Sequence, residues 1–156
     1  MSNEVNATKA NEAPTRLADG TYQPVLTVSD LDRCGRRWML GASIYNYESQ
    51  CAPAVMFATE PALRKIYAGD EEGYRRSLLS TYRYYNATPQ VSGLLLGAGL
   101  ALEDKGHNDA IDAVQDLKIG LMGSLSGVGD TIFAILIPTI FGSIAAYMLS
   151  LIHISE

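Results

Sequence analysis

The sequence predicts an all-α integral membrane protein in which amphipathic and re-entrant helices precede one membrane-spanning helix. Three observations lead there. From Ile132 to Leu149 run 18 residues, 14 of them apolar and the rest Pro, Thr, Gly and Ser, enough for a helix of roughly 27 Å at ~1.5 Å per residue. Upstream, apolar side chains recur at three- and four-residue steps, the period of a helix. No alternation of polar and apolar residues persists long enough to build a sheet, and no internal repeat is evident.

Residues 1–25 are rich in Asn, Glu, Thr, Ala and Gly with almost nothing to bury, and are expected to form a disordered cytoplasmic tail. Residues 26–118 follow as a helical, membrane-associated region. Ser29-Asp30-Leu31-Asp32 reads as a helix start, with Ser29 capping free amides and the acids favouring the positive end of the helix dipole. That helix is expected to reach about Gln50. Leu31, Cys34, Trp38, Ala42 and Tyr45 give it an apolar stripe beside Arg33, Arg36 and Arg37, a pattern suited to lying on a membrane surface. A second helix is expected over Ala52–Tyr67, kinked or restarted at Glu60-Pro61. A third, Glu71–Asn86, places Tyr74, Leu78 and Tyr82 on one face. After the Asn86-Ala87-Thr88-Pro89 break comes an apolar helix from Gln90 to Leu102, too short to span, in which Gly93 and Gly97 have the spacing of close helix packing. Asp104 to Leu117 is expected to be a polar connection with a short amphipathic helix.

Residues 119–149 combine a glycine-rich break with the transmembrane helix. Gly120, Gly123, Gly127 and Gly129 remove side-chain bulk where backbone bends or approaches another helix. Irregular backbone at membrane depth survives only where protein or a wet cavity satisfies it, which makes this stretch a candidate re-entrant element. Pro138 permits a kink in the span. Residues 150–156 are expected to be a non-native tail.

All 12 Lys and Arg residues precede Ile119, which by the positive-inside bias puts the N-terminal region on the cytoplasmic side. The net charge of −5, with basic pairs interspersed among acids, argues against a nucleic-acid partner. Cys34 and Cys51 lack the spacing of a zinc or redox motif and read as buried free thiols. Neither His107 nor His153 has a second ligand at helical spacing, so no metal and no cofactor is expected. Nothing matches a P-loop or nucleotide fingerprint.

Asp130 is the single carboxylate of the C-terminal apolar stretch, and two roles remain open for it. A carboxylate in low-dielectric surroundings interacts strongly with donors, so it can accept from the hydroxyls of a bound ligand. In Gly129-Asp130-Thr131 it equally reads as the N-cap of a helix starting at Ile132. Asn46 and Glu48, two residues apart, do not share a helix face, and either contacts a partner or faces water. Asn86 reads as a helix-ending turn residue. Tyr82, Tyr84 and Tyr85 suit an interfacial belt or partner packing better than stacking on a bound ligand.

Taken together, these residues resemble the IID component of the mannose/fructose/sorbose class of the bacterial phosphoenolpyruvate-dependent sugar phosphotransferase system. The resemblance runs from about Leu26 to Met148. It is carried by Tyr45-Asn46-Tyr47-Glu48, the Pro61–Tyr67 segment, Asn86–Pro89, Leu100–Glu103, and above all Gly120–Phe133, where GLMG and then GVGD precede an apolar helix. The chain departs from the family at Ser124 and Ser126, where Pro and Ala are frequent, at Ala134, where an aromatic is, and at Ile44-Tyr45, where Ser-Trp is typical. Family members continue through further membrane segments, so the chain is expected to be an N-terminal fragment.

The resemblance implies a membrane transport subunit, not an enzyme, in the bacterial cytoplasmic membrane. It implies pairing with a IIC subunit in an oligomeric translocation unit for a hexose or amino sugar, in contact with membrane lipid. The phosphoryl group passes through IIA and IIB, never through IID. The residues nominated for substrate or translocation are Asp130, Thr131, Asn46, Glu48 and Asn86. Two rival expectations stand beside this one: a scaffold that organises IIC without touching sugar, and a truncated product without function.

Overall fold

The computed structural model describes residues 15–41 and 43–154. Among them are α1 (Val28–Gly41), α2 (Ala52–Ile66), α3 (Glu71–Thr81), α4 (Pro89–Gly106) and α5 (Ile111–Gly129). A π-helical segment, Asp130–Leu136, then joins α5 to α6 (Ile137–Ile154). No strand occurs among the described residues, only isolated bridges. Residues 1–14, with most of the expected tail, and Ala42 of the expected stripe lie outside the described residues, as do the side chain of His153 and the end of the 150–156 segment.

Local chemistry accounts for each boundary. The cap of α1 lies two residues before the expected one, because Thr27 and Asp30 satisfy each other: the Thr27 amide donates to Asp30 Oδ2 at 2.8 Å and the Asp30 amide to Thr27 Oγ1 at 3.3 Å. The helix stops at Gly41 rather than near Gln50. Beyond it the Asn46 side chain accepts from the Ser49 amide at 2.6 Å and the Ser49 hydroxyl at 3.0 Å, a local turn that competes with helix. Gln50, at φ +57°, turns the chain into α2.

Pro61 neither breaks nor restarts α2. A proline removes the amide that would serve the carbonyl four residues back, here Phe57. Arg37 Nε donates to that carbonyl at 2.7 Å, so α1 supplies the bond that α2 lacks.

α3 is capped by Asp70, which accepts from the Gly73 amide at 2.9 Å, and ends at Thr81 instead of Asn86. Lys118 Nζ sits 3.2–3.5 Å from the carbonyls of Ser80, Thr81 and Arg83, meeting acceptors that a helix C-terminus leaves open. The face of α3 that is buried carries Gly73 and Ser77; Tyr74 and Leu78 pack beside it and Tyr82 is exposed. α4 runs four residues past its expected end. The polar connection expected over Asp104–Leu117 is only a three-residue turn, His107–Asp109, after which α5 begins.

Pairs of contacts at both ends fix the topology. At one end Trp38 Nε1 donates to Pro89 O at 2.9 Å, the Cys51 amide to Tyr85 O at 2.9 Å, and the Asn86 amide meets Met122 Sδ at 3.1 Å. At the other, the Val25 and Leu26 amides donate to Asp104, Lys65 pairs with Asp30 at 2.6 Å, and Asn108 bonds Asp70 at 2.7 Å. The helices therefore run up and down between the same two ends, α1, α3 and α5 one way, α2 and α4 the other. α1 stands lengthwise in this bundle, packed against α2.

Two apolar layers stack along the axis. One gathers Trp38, Cys51, Val55, Tyr85 and Leu95; the second gathers Cys34, Leu63, Ile66, Leu100 and Ile111. Both cysteines are buried free thiols, as read from the sequence. Residues 111–152 form one continuous helical rod of 42 residues whose apolar window has no residue buried. Beyond Gly129 this rod leaves the bundle bare, every residue from 130 to 152 being exposed.

Candidate functional site

The junction between bundle and rod is the place where sequence-nominated residues and irregular backbone meet. Thr88, in the turn before α4, sets its hydroxyl 2.7 Å from Asp130 Oδ1 and 3.1 Å from the Ser126 carbonyl. This contact requires Gly129. A Cβ there would fall inside the Thr88 side chain, so only glycine lets the turn rest on the rod's backbone.

Asp130 is not an N-cap. Its backbone is helical, at φ −63° and ψ −39°, and its amide already donates to the rod's own carbonyls. The carboxylate instead clasps the turn between α3 and α4. Thr131 is likewise engaged, its hydroxyl donating to the Gly127 carbonyl at 2.8 Å.

The expected glycine break is absent. α5 passes through Gly120, Gly123, Gly127 and Gly129 as regular helix, and positive φ among the described glycines occurs only at Gly20 and Gly69. Glycine weakens a helix interior by roughly 0.5–1 kcal/mol per site and does not forbid one. The irregularity lies one residue further on, in the π-helical turns of Asp130–Leu136, where the Ile137 amide reaches back to the Ile132 carbonyl. Pro138 follows immediately. Its missing amide and its ring disturb the preceding turn, and a widened turn accommodates both. Gly120, Gly123 and Gly127 face open space within this chain, whereas Gly129 is closely packed.

The remaining nominated residues lie at the same end of the bundle without joining Asp130. Asn46 organises its own turn, Glu48 is exposed, and Asn86 offers its backbone amide to Met122. Among the described residues, no hydrogen bond links these three to the carboxylate.

A second polar cluster, not nominated from the sequence, lies toward the opposite end. Glu103 is 2% exposed and accepts from Tyr67 Oη at 3.0 Å and Ser77 Oγ at 2.5 Å. Burial pushes its carboxyl above the usual range, against the pull of both hydroxyls. Tyr67 is also raised, by burial first and then by that carboxylate. The adjoining cavity, lined in part by Thr59, Gln115 and Lys118, measures about 30 Å³. It has room for a water or two and lies far below the ~300 Å³ at which ligand pockets begin, so this cluster holds the bundle rather than a sugar. The helical face Ser92, Leu95, Gly99, Glu103 was the available signal. Nothing comparable marks Thr88, whose partner is 42 residues away.

A packed helical base from which a bare apolar rod projects defines an all-helical membrane protein. The family described as PTS system mannose/fructose/sorbose family IID component matches residues 25–150, and the chain belongs to it. The mannose-specific EIID component of Escherichia coli K12 is 34% identical over 129 residues, covering 81% of this chain and 46% of that protein. The fructose permease IID component of Bacillus subtilis 168 is 32% identical, over 62% of this chain and 35% of that protein. The sorbose-specific EIID component of Klebsiella pneumoniae is 31% identical, over 69% and 40% respectively. Among solved structures, a chain of the mannose transporter ManYZ in complex with microcin E492 superposes with a TM-score of 0.73 at 32% identity, covering 81% of this chain and 47% of that one. The chain spans less than half the length of these relatives. The family is one of membrane permease subunits rather than enzymes.

Proposed function

We propose that the chain is part of a IID subunit that forms, with a IIC subunit, the translocation unit of a sugar-transporting phosphotransferase system. IIA and IIB carry the phosphoryl group to the incoming hexose or amino sugar, and IID carries none. The subunit sits in the bacterial cytoplasmic membrane with its N-terminus on the cytoplasmic side, as an oligomer in contact with lipid and IIC. The observation that supports this reading most is the rod itself. None of the residues in its apolar window is buried, and its hydroxyls turn inward: Thr139 donates to Ile135 O at 2.6 Å and Ser143 to Thr139 O at 2.7 Å. Internally satisfied polar groups under an apolar surface are what hydrocarbon demands.

In this reading Asp130, at the start of the π-helical turns, faces the translocation path. The test replaces Asp130→Asn in the complete protein and measures uptake of labelled mannose, fructose and sorbose alongside co-purification of IIC. A fall of about tenfold, with assembly intact, is expected from the loss of one charged hydrogen bond. Unchanged uptake with intact assembly removes the carboxylate from the path.

A second reading draws on the Thr88–Asp130 clasp. A carboxylate already satisfied within its own chain suits a scaffold, which presents IIC at the membrane and leaves sugar affinity wholly to IIC. Equal sugar affinity of IIC with and without this subunit would favour it.

A further inference from the structure

The bundle has two unlike ends. The end that carries Asp70, Glu71, Glu72, Asp109 and Asp112 is charged. The end beside Asp130 is built from Trp38–Tyr47 and Tyr84–Leu95, neither of which contains a Lys, Arg, Asp or Glu, with Glu48 and Arg83 at their margins. On the first of these, apolar side chains stand in the open: Met39 is 76% exposed, Leu40 79%, Tyr45 58% and Tyr47 96%.

Their height along the rod follows from the hydrogen bonds. Trp38 is bonded to Pro89, and neighbouring Thr88 to Ser126 and Asp130, so the tip of α1 lies level with the residues that immediately precede the bare apolar window. The exposed apolar tip therefore continues the rod's apolar surface sideways at the point where that surface begins. Arg33 and Arg36 lie one to two turns back along α1, on the charged side of this level, with Arg36 paired to Asp32.

We propose that this end of the bundle, with Met39, Leu40, Tyr45 and Tyr47 at its tip, is seated in the headgroup–acyl boundary of the lipid bilayer beside the rod. Aromatic rings with polar tips partition to that boundary, and long basic side chains reach back to the headgroups. The base is then a partly immersed foot rather than a soluble domain on a tether. The seat rests on the rod crossing the same bilayer, and one experiment separates the two claims.

Nitroxide labels are placed singly at Leu40→Cys, Tyr47→Cys, Glu72→Cys and Phe141→Cys in the full-length protein, reconstituted in nanodiscs of phosphatidylethanolamine and phosphatidylglycerol. Cys34 and Cys51 are buried and stay in place, the unmodified protein serving as the labelling control. Collision with oxygen, which concentrates in lipid, is compared with collision with a water-soluble nickel chelate. At positions 40 and 47 the oxygen-to-nickel ratio should exceed that at 72 several-fold and fall short of that at 141. The seat is overturned if 40 and 47 match 72, as in water, or are shielded from both reagents, as under a protein partner. A water-like ratio at 141 would instead remove the spanning rod.

Discussion

Residues 25–130 and residues 131–152 are both helical and both carry apolar faces, yet they deal with those faces in opposite ways. In the bundle, Ala52, Leu63, Ile66 and Tyr85 are wholly buried against neighbouring helices, each large side chain contributing about 1.5–3 kcal/mol. In the rod, nothing in the apolar window is covered. The bundle is specified by its own side-chain packing; the rod is specified by a solvent other than water. A substitution should therefore matter in the bundle according to what the chain itself places beside it, and at bare positions only once lipid or a partner is present.

Glycine gives the sharpest form of this contrast, because identical residues sit in both situations on one helix. Gly129→Val drives a branched side chain into Thr88 and breaks the clasp on Asp130, and should cost about 3 kcal/mol. Gly123→Ala meets open space and should leave the isolated protein unchanged or stabilise it by roughly 0.5–1 kcal/mol. Thermal unfolding of both variants in detergent, followed by helical circular dichroism, tests the pair. Equal melting temperatures would mean that the turn before α4 does not rest on the rod.

That pair also shows what the sequence could and could not disclose. The helical class, the apolar span and both buried cysteines were readable because each follows from composition or from a local period. The four glycines looked alike in the sequence; their difference depends on Thr88, brought in by a fold that no local pattern encodes. Helix ends shifted for the same reason. Lys118 closes α3 from 37 residues away, and Arg37 completes α2. Asp130 reads locally as a cap, and loses that role only because the helix before it does not stop. Each short helix shows an apolar stripe when read singly, and only the fold shows that as antiparallel neighbours they bury these stripes against one another.

Charge offers a second way to separate the regions. Burial raises the Glu103 carboxyl above its ordinary value of 4.5, so the folded bundle favours the protonated acid. Its stabilising contribution is complete below the unfolded value and is lost as pH rises through the raised folded value. Acidification from neutrality toward 4.5 should therefore add stability through this group. His107, whose pKa burial depresses below 6.5, acts with the opposite sign over the same interval. Asp30 and Asp70, held below 3.8 by their donors, matter only in stronger acid. Glu103→Gln keeps an acceptor for Tyr67 and Ser77 while removing the titration. In the difference between wild type and variant, melted from pH 7 to pH 4.5, the other groups cancel. Wild type should gain relative to the variant as pH falls; a constant difference would mean that Glu103 titrates normally and the site is wet.

The smallest expected effect probes how the bundle repairs its own backbone. Pro61 leaves the Phe57 carbonyl without its helical donor, and Arg37 Nε fills the position at 2.7 Å while its guanidinium lies 4.1 Å from the Phe57 ring centre. Arg37→Met preserves much of the aliphatic stem and removes the donor, and should cost about 1 kcal/mol. Pro61→Ala restores an amide to serve the same carbonyl. If the repair is real, the cost of Arg37→Met shrinks in the Pro61→Ala background, and the cycle yields a coupling of about 0.5 kcal/mol or more. If the two changes simply add, Arg37 acts through its ion pair with Glu60, at 3.7 Å, and through the Phe57 ring, and the proline is tolerated without a substitute donor. The rod carries its own proline, Pro138, among apolar neighbours and with no arginine within reach in sequence, and there the backbone widens into π-helical turns instead. The two prolines thus mark the same division: where side chains pack, a neighbour supplies the missing bond, and where only lipid is at hand, the helix changes its own geometry.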